Sequence, residues 1–384
     1  MKRTMKILAI TPNTGAIAEL RIINPLRALH RKNKISGYKI VDYSLSQLIG
    51  DNDYYDALLI QRAAPNYIFN SLNKRKIPYL LDIDDNLLAN ASYRGLKAEL
   101  DLLEGLIGCS ALITPNKRLI SLLEKYSELS LYKKTIVVPN ALPYPINIEI
   151  KNNQPDKILW IQSDISALTE SHDLIINAVS DFSKKYHLPI VLIGKSVLNG
   201  ITLPNQIIMG EIDFSSNLQL LEFTTTSIGI APLETSSDEE TLDFIAGKSD
   251  LKILLFDGYG HPGIYSHSPP YSDTSINKDC KLISNTYASW IEALEYQYNY
   301  GWRDIGNRTR EIQMERHIDK IAIDCWFPAL NTNLLQQPMQ GKAIYEIISS
   351  SLIFDAPLVY SHNFLARIGI NKQWMQFVYN KLKN

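Results

Sequence analysis

Short, unbroken apolar runs recur along this chain and alternate with segments whose apolar residues fall on one helical face. The first runs are 6–10 (K-I-L-A-I), 57–60 (A-L-L-I), 79–83 (Y-L-L-D-I), 111–114 (A-L-I-T) and 135–138 (T-I-V-V). Most lack polar alternation, as expected of strands covered on both faces of a parallel sheet. Helical spacing fills 24–31 and 96–107. A polar, proline-containing stretch at 148–157 interrupts the pattern, which restarts with 157–161, 189–194, 206–210, 227–231 and 262–266. Two successive strand–helix series predict an α/β protein with two Rossmann-like domains facing a central cleft, 1–150 and 151–325. Ligands of such sheets bind at the carboxyl ends of the strands. From residue 287 the spacing turns helical. The remaining 326–384, broken by Pro328, Pro338 and Pro357, reads as a C-terminal helical extension expected to pack back on the first domain.

Composition narrows the class. A length of 384 residues fits two domains, and 45% hydrophobic with 21% charged residues suits folded cores. Lys plus Arg is 39 against 40 for Asp plus Glu, so the net charge of -1 offers no overall attraction for nucleic acid. Cys109, Cys280 and Cys325 are too few and too scattered for a disulfide framework or a zinc site, which favours a reducing cytoplasm. The basic N-terminus leads into an apolar run too short for a signal peptide, and no run reaches the ~20 residues of a membrane span. Residues 371–384 combine Trp374, Phe377, Val378 and Leu382 with Lys372, Lys381 and Lys383. Such a helix lies peripherally on a membrane surface or, more commonly, docks on its own protein.

Candidate chemistry clusters at strand ends. Asp82, Asp84 and Asp85 close one apolar strand, where carboxylates project toward a cleft and can take a proton from a hydroxyl. A helix cap is the competing role for Asp85. A D-x-D pair can also hold a divalent ion, but its place in the first of two Rossmann-like halves argues against a metal. Asn140 in V-P-N-A-L-P reads as a turn former. Gly194 and Lys195 follow another strand, where glycine admits a ligand to the backbone and the lysine can meet a phosphate. The G-K-S there lacks the upstream glycine of a P-loop. Ser163 and His172 flank the preceding loop, and His172 can both donate and accept.

The richest segment is 248–271, beginning K-S-D-L-K and ending S-P-P-Y, preceded by I-G-I-A-P-L at 228–233. Lys248 and Ser249 are expected at the first turn of a helix over 248–256, where unpaired N–H groups and the macrodipole favour phosphate. Lys248 and Lys252 share a face, and a solvated helix face is their plainer reading.

Taken in order, several segments resemble one family. They are L-R-I-I-N-P-L-R-A-L, Y-L-L-D-I-D-D-N-L, I-V-V-P-N-A-L, the 163–174 loop, I-G-I-A-P-L and K-S-D-L-K with its following G-x-P-G-I-Y-S and P-Y. Over residues 5 to 325 the chain resembles GT-B glycosyltransferases, specifically the group-1-like bacterial enzymes of surface-polysaccharide synthesis. The resemblance implies a metal-independent transfer from a nucleotide-diphosphate sugar (UDP, GDP or dTDP), bound by the second domain, to a glycan, glycolipid or glycoprotein acceptor on the first. It implies no further cofactor. It places Lys248, Ser249, Asp250 and Leu251 around diphosphate and sugar, Gly194 and Lys195 beside the nucleotide, Ser163 and His172 facing the cleft, and Asp84 and Asp85 on the acceptor side.

The chain also departs from that family. Related retaining enzymes carry two glutamates eight residues apart, where this chain has Gly247 and Leu255. Ser227 replaces an aspartate, and the arginine and lysine expected around 163–174 are missing. These departures motivate a second reading, a catalytically inactive GT-B domain acting as a binding or scaffold partner in glycan assembly. A sugar-nucleotide epimerase of the same two-domain form is a third.

Overall fold

The computed structural model describes residues 5–13, 15–89, 96–143, 153–162, 171–194, 203, 206–210, 218–221, 225–235, 237–276 and 278–350. In the first half, β1 (Lys6–Thr11), β2 (Gly37–Asp42), β4 (Ala57–Gln61), β5 (Leu80–Asp82), β6 (Ala111–Thr114) and β7 (Thr135–Val137) form a parallel sheet in the order β2-β1-β4-β5-β6-β7. The strand β3 (Tyr54–Tyr55) stands outside it. In the second half, β8 (Ile158–Ile161), β9 (Ile190–Ile193), β10 (Gln206–Gly210), β11 (Ile228–Ala231), β12 (Gly263–Ser266) and β13 (Lys281–Ile283) give the order β10-β9-β8-β11-β12-β13. This is the doubly wound order, with a switch point between β8 and β11. The first sheet switches between β1 and β4.

The apolar runs are unbroken because successive residues serve different cores. Leu8, Ile10, Leu58, Ile60 and Leu81 pack on one face of the first sheet, while Ile7, Ala9, Ala57, Leu59 and Leu80 pack on the other. In the second sheet Leu159, Ile161 and Val191 face one core, and Ile158, Trp160, Ile190 and Leu192 the other. All ten strands expected from the sequence are present. The strands β2 and β13 were missed, because G-Y-K-I-V-D and K-L-I mix polar with apolar residues at the sheet edges.

The chain returns to the first domain before residue 325. Ile318, Ile321, Ala322, Trp326, Ala329 and Leu330 join a core of the first sheet, and Leu335, Ile344 and Ile348 join the other. β14 (Met339–Gln340) pairs antiparallel with β3. Each of the buried Ile and Leu side chains contributes about 1.5–3 kcal/mol by leaving water, so this segment is part of the first domain's core. No helix among the described residues is long and apolar enough to cross a membrane. The 371–384 segment lies outside the described residues.

Candidate functional site at the seam between the domains

The chain enters the first domain's site through a wide helical turn, Glu19–Ile23, which leads into the Asn24–Arg31 helix with Pro25 in its first turn. This turn buries Arg21. Its guanidinium meets Asp82 at 2.6 Å, donates to the Val138 carbonyl at 2.6 Å and to Asn140 Oδ1 at 3.1 Å, and lies over the Trp326 ring. Asp82, fully buried, is therefore the partner of Arg21 and does not reach the cleft.

Asp84 and Asp85 behave differently. Both face Arg62, which follows β4 with φ +63°, a backbone region few side-chain-bearing residues adopt. Arg62 Nε donates to Asp84 Oδ1 at 2.9 Å, and Nη2 reaches Asp85 Oδ2 at 3.3 Å. Burial, reinforced by Asp85, pushes the Asp84 carboxyl up to about 6, against the opposing pull of Arg62. Asp85 also lies 4.0 Å from Lys248 Nζ of the second domain. Two of the expected groups thus meet across the seam.

The turn at 247–250 is braced from the first domain. Asn116 Nδ2 donates to the Lys248 carbonyl at 3.1 Å, and Asn140 Nδ2 donates to Ser249 Oγ at 2.8 Å. A Cβ placed on Gly247 would come within 2.8 Å of Asn86 Cβ and 3.1 Å of Asn86 N. With the domains so close, no side chain fits at 247, where related retaining enzymes carry a glutamate. Nearby, Lys125 pairs with Asp243 at 2.6 Å, and Arg118 pairs with Asp273.

One expectation needs correction. The helix spans Leu251–Phe256 with Asp250 at its N-cap, so Lys248 and Ser249 belong to the preceding turn and not to the helix's first turn. The preceding Glu239–Ala246 helix closes on Gly247, and residues 248–250 link it to the next helix. Lys248 lies over the Phe244 ring at 4.3 Å and remains partly exposed. The Asp250 carboxylate accepts from Arg316 and Thr274, which fixes the turn. Leu251 is half-buried. Lys252 is lowered to about 8, first by burial and then by Lys248. Leu255 is buried in an apolar cluster that includes Leu20 and Leu142 of the first domain. Asp257 faces away, bonded to Gly263 N, Tyr265 Oη and Arg308.

Of the residues expected beside the nucleotide, Gly194 directly follows β9 with φ +156°, which a side-chain-bearing residue rarely adopts. Ser163 and Lys195 lie outside the described residues, as does the side chain of His172, which opens the His172–Tyr186 helix. At the switch point of the second sheet, the buried Glu234 accepts from Ser171 Oγ at 2.7 Å and Ser171 N at 3.1 Å, anchoring that helix start.

Sequence reasoning missed Arg62, Gln61, Tyr43 and Arg316. For Arg62 and Gln61 a signal was available, because A-L-L-I-Q-R puts polar groups at a strand end just as Y-L-L-D-I-D-D does. Together with Pro12, Asn13, Gly15, Ala16, Ile17, Ala18, Ala63 and Leu87, Tyr43, Gln61 and Arg62 line a cavity of about 410 Å³ at the carboxyl edge of the first sheet. A second cavity, about 330 Å³, lies at the amino ends of β8, β9 and β11, on the edge opposite the seam.

These features define a GT-B glycosyltransferase-like fold, with two parallel-sheet domains meeting along a charged seam. No family model matches the sequence, and no curated protein matches it. Among solved structures, the chain is similar to Staphylococcus aureus TarM, as a mutant in complex with fondaparinux, α-GlcNAc-glycerol and UDP, at 16% identity and a TM-score of 0.52. That match covers 75% of this chain and 58% of TarM, so the chain spans little more than half of TarM's length. It is also similar to a UDP-forming α,α-trehalose-phosphate synthase from Burkholderia xenovorans, at 10% identity and a TM-score of 0.53, covering 87% of this chain and 99% of that one. A UDP-GlcNAc 2-epimerase from Neisseria meningitidis bound to UDP-GlcNAc matches at 13% identity and a TM-score of 0.50, covering 86% and 100%.

Proposed function

We propose that this protein is a glycosyltransferase that moves a sugar from a nucleotide-diphosphate donor to a surface-glycan acceptor, with retention and without a metal. The observation that carries this reading is the approach of Asp85 and Lys248 across the seam, at the carboxyl edges of two Rossmann-like sheets. In it the first domain supplies carboxylates and the second a cation. Asp84 or Asp85 orients or deprotonates the acceptor hydroxyl, and the raised value of Asp84 suits a base working near neutrality. Lys248 and the turn ahead of Leu251 stabilise the leaving diphosphate electrostatically. Ser249 accepts a hydrogen bond from Asn140, which leaves its own O–H proton to donate to a phosphate oxygen. Asp250 and Leu251 hold the turn in place. The remaining donor contacts fall to Ser163, His172, Gly194 and Lys195.

Gly247 and Leu255 favour a second reading, an inactive GT-B domain that binds partners in a glycan-assembly complex. Product analysis separates these. Incubation with UDP-, GDP- and dTDP-sugars and a glycan acceptor gives transfer if the first reading holds. A changed sugar nucleotide in the absence of acceptor indicates an epimerase, and no turnover under either condition supports the inactive domain.

A further inference from the structure

Gln61, one of the residues lining the 410 Å³ cavity of the first domain, carries a buried polar atom with no partner among the described residues. Gln61 is fully buried and lines this cavity. Its Nε2 donates to the Ile17 carbonyl at 3.2 Å, whereas its Oε1 has no hydrogen-bond partner among the described residues. An unsatisfied buried carbonyl oxygen costs free energy that a ligand donor would recover. Around it, Pro12, Ile17, Ala63 and Leu87 give apolar walls, and the Tyr43 phenol is turned to the Gln61 backbone carbonyl.

The charge balance says what kind of donor fits. Among the described residues that line the cavity, Arg62 is the sole cation, and its guanidinium is already engaged by two carboxylates, Asp84 and Asp85. Asp101, bonded to Asn66 N, adds further negative potential near Tyr43. A phosphate or carboxylate entering here would find no unpaired cation among the described lining residues, because Asp84 and Asp85 already hold Arg62. A neutral hydroxyl would find Oε1 as acceptor, and the apolar walls suit the C–H face of a sugar ring.

We infer that this cavity is an acceptor subsite for a neutral, hydroxyl-bearing sugar, read by Gln61 Oε1, and that it excludes anionic polyol phosphates. The inference deepens the transferase reading and rests on it for the word acceptor. Gln61 sets specificity in this account and takes no part in bond making.

The test uses the full chain without nucleotide, so that acceptor binding is read separately from donor binding. Saturation-transfer NMR with methyl glycosides of glucose, galactose, mannose and N-acetylglucosamine is compared with glycerol phosphate and sugar phosphates. At least one neutral glycoside should bind, and the phosphates should not. Ala16→Phe, at an exposed position on the cavity wall, should abolish that binding while leaving the melting temperature and UDP affinity unchanged. Gln61→Leu should weaken it roughly tenfold, in line with loss of one hydrogen bond. Binding of phosphates as tightly as neutral glycosides overturns the inference. So does glycoside binding that survives Ala16→Phe, or no glycoside binding at all. Loss of UDP binding alone, with glycosides still bound at this cavity, overturns the transferase reading and leaves a neutral-sugar site.

Discussion

Asn140 Nδ2 donates to Ser249 Oγ at 2.8 Å, joining the loop after β7 of the first domain to the turn ahead of the Leu251–Phe256 helix of the second. The same Asn140 accepts from Arg21, which is locked to Asp82. A continuous polar chain therefore runs from the carboxyl end of β5 in the first sheet into the candidate diphosphate turn. Removing either end should cost stability in a coupled way. Asn140→Ala is expected to cost about 1–3 kcal/mol, because Arg21 also loses a partner, and Ser249→Ala about 1 kcal/mol. A double-mutant cycle in urea should give a coupling above about 0.5 kcal/mol. Strict additivity would show that the two side chains do not communicate.

Asp84 gives a pH prediction with a definite sign. Its folded-state value is raised to about 6 from the ordinary 3.8, mainly by burial. The folded protein therefore holds this proton more tightly than the unfolded chain. Stability contributed by Asp84 is present below that window and is lost as pH rises through it. Asp84→Asn should flatten this part of the stability profile. Activity should run the opposite way, rising as pH passes about 6 because the base must be ionised. The Asn variant should lose about 10²–10⁴-fold in turnover. A wild-type rate that is flat across this range would assign the proton transfer elsewhere.

Arg62 opposes the burial of Asp84. Replacing it by Gln removes the only counter-charge bonded to that carboxylate among the described residues, so the break in the pH–rate profile should move to higher pH. Arg62→Lys should restore part of the shift. An unmoved break would mean that Arg62 serves packing alone.

How much of this was readable in advance differs between fold and site. The apolar runs located ten strands because a doubly covered parallel strand has no polar alternation to obscure it. The edge strands β2 and β13 do have it, and were missed. Asp84, Asp85 and Lys248 were legible as polar residues at strand or helix ends, and two of them do meet across the seam. The helix start was placed three residues early, because apolar spacing does not show that Asp250 is claimed by Arg316 from far along the chain. Arg62 needed a left-handed backbone to turn back toward the aspartates, and periodicity carries no trace of that.

Gly247 tests the closeness of the domains. Gly247→Ala puts a methyl group against Asn86, including its backbone nitrogen, and should cost about 1–3 kcal/mol through overpacking. The radius of gyration from solution scattering should rise as the seam loosens. A neutral, compact variant would mean that the domains stand further apart in solution.

Lys248 and Lys252 separate a ligand-binding role from a structural one. Lys248 reaches the seam beside Asp85, whereas Lys252 is already driven down to about 8 by its surroundings. Lys248→Ala should cut turnover far more than Lys252→Ala, with most of the effect on donor handling. Equal and small effects would contradict the phosphate assignment.

The proposed transfer depends on a diphosphate settling against the 248–251 turn where the two sheets face one another. Titration calorimetry of the intact chain with UDP, GDP and dTDP at millimolar concentration addresses this directly. A saturable heat with at least one of them, weakened by Lys248→Ala, is the predicted result. The absence of heat with all three would contradict it.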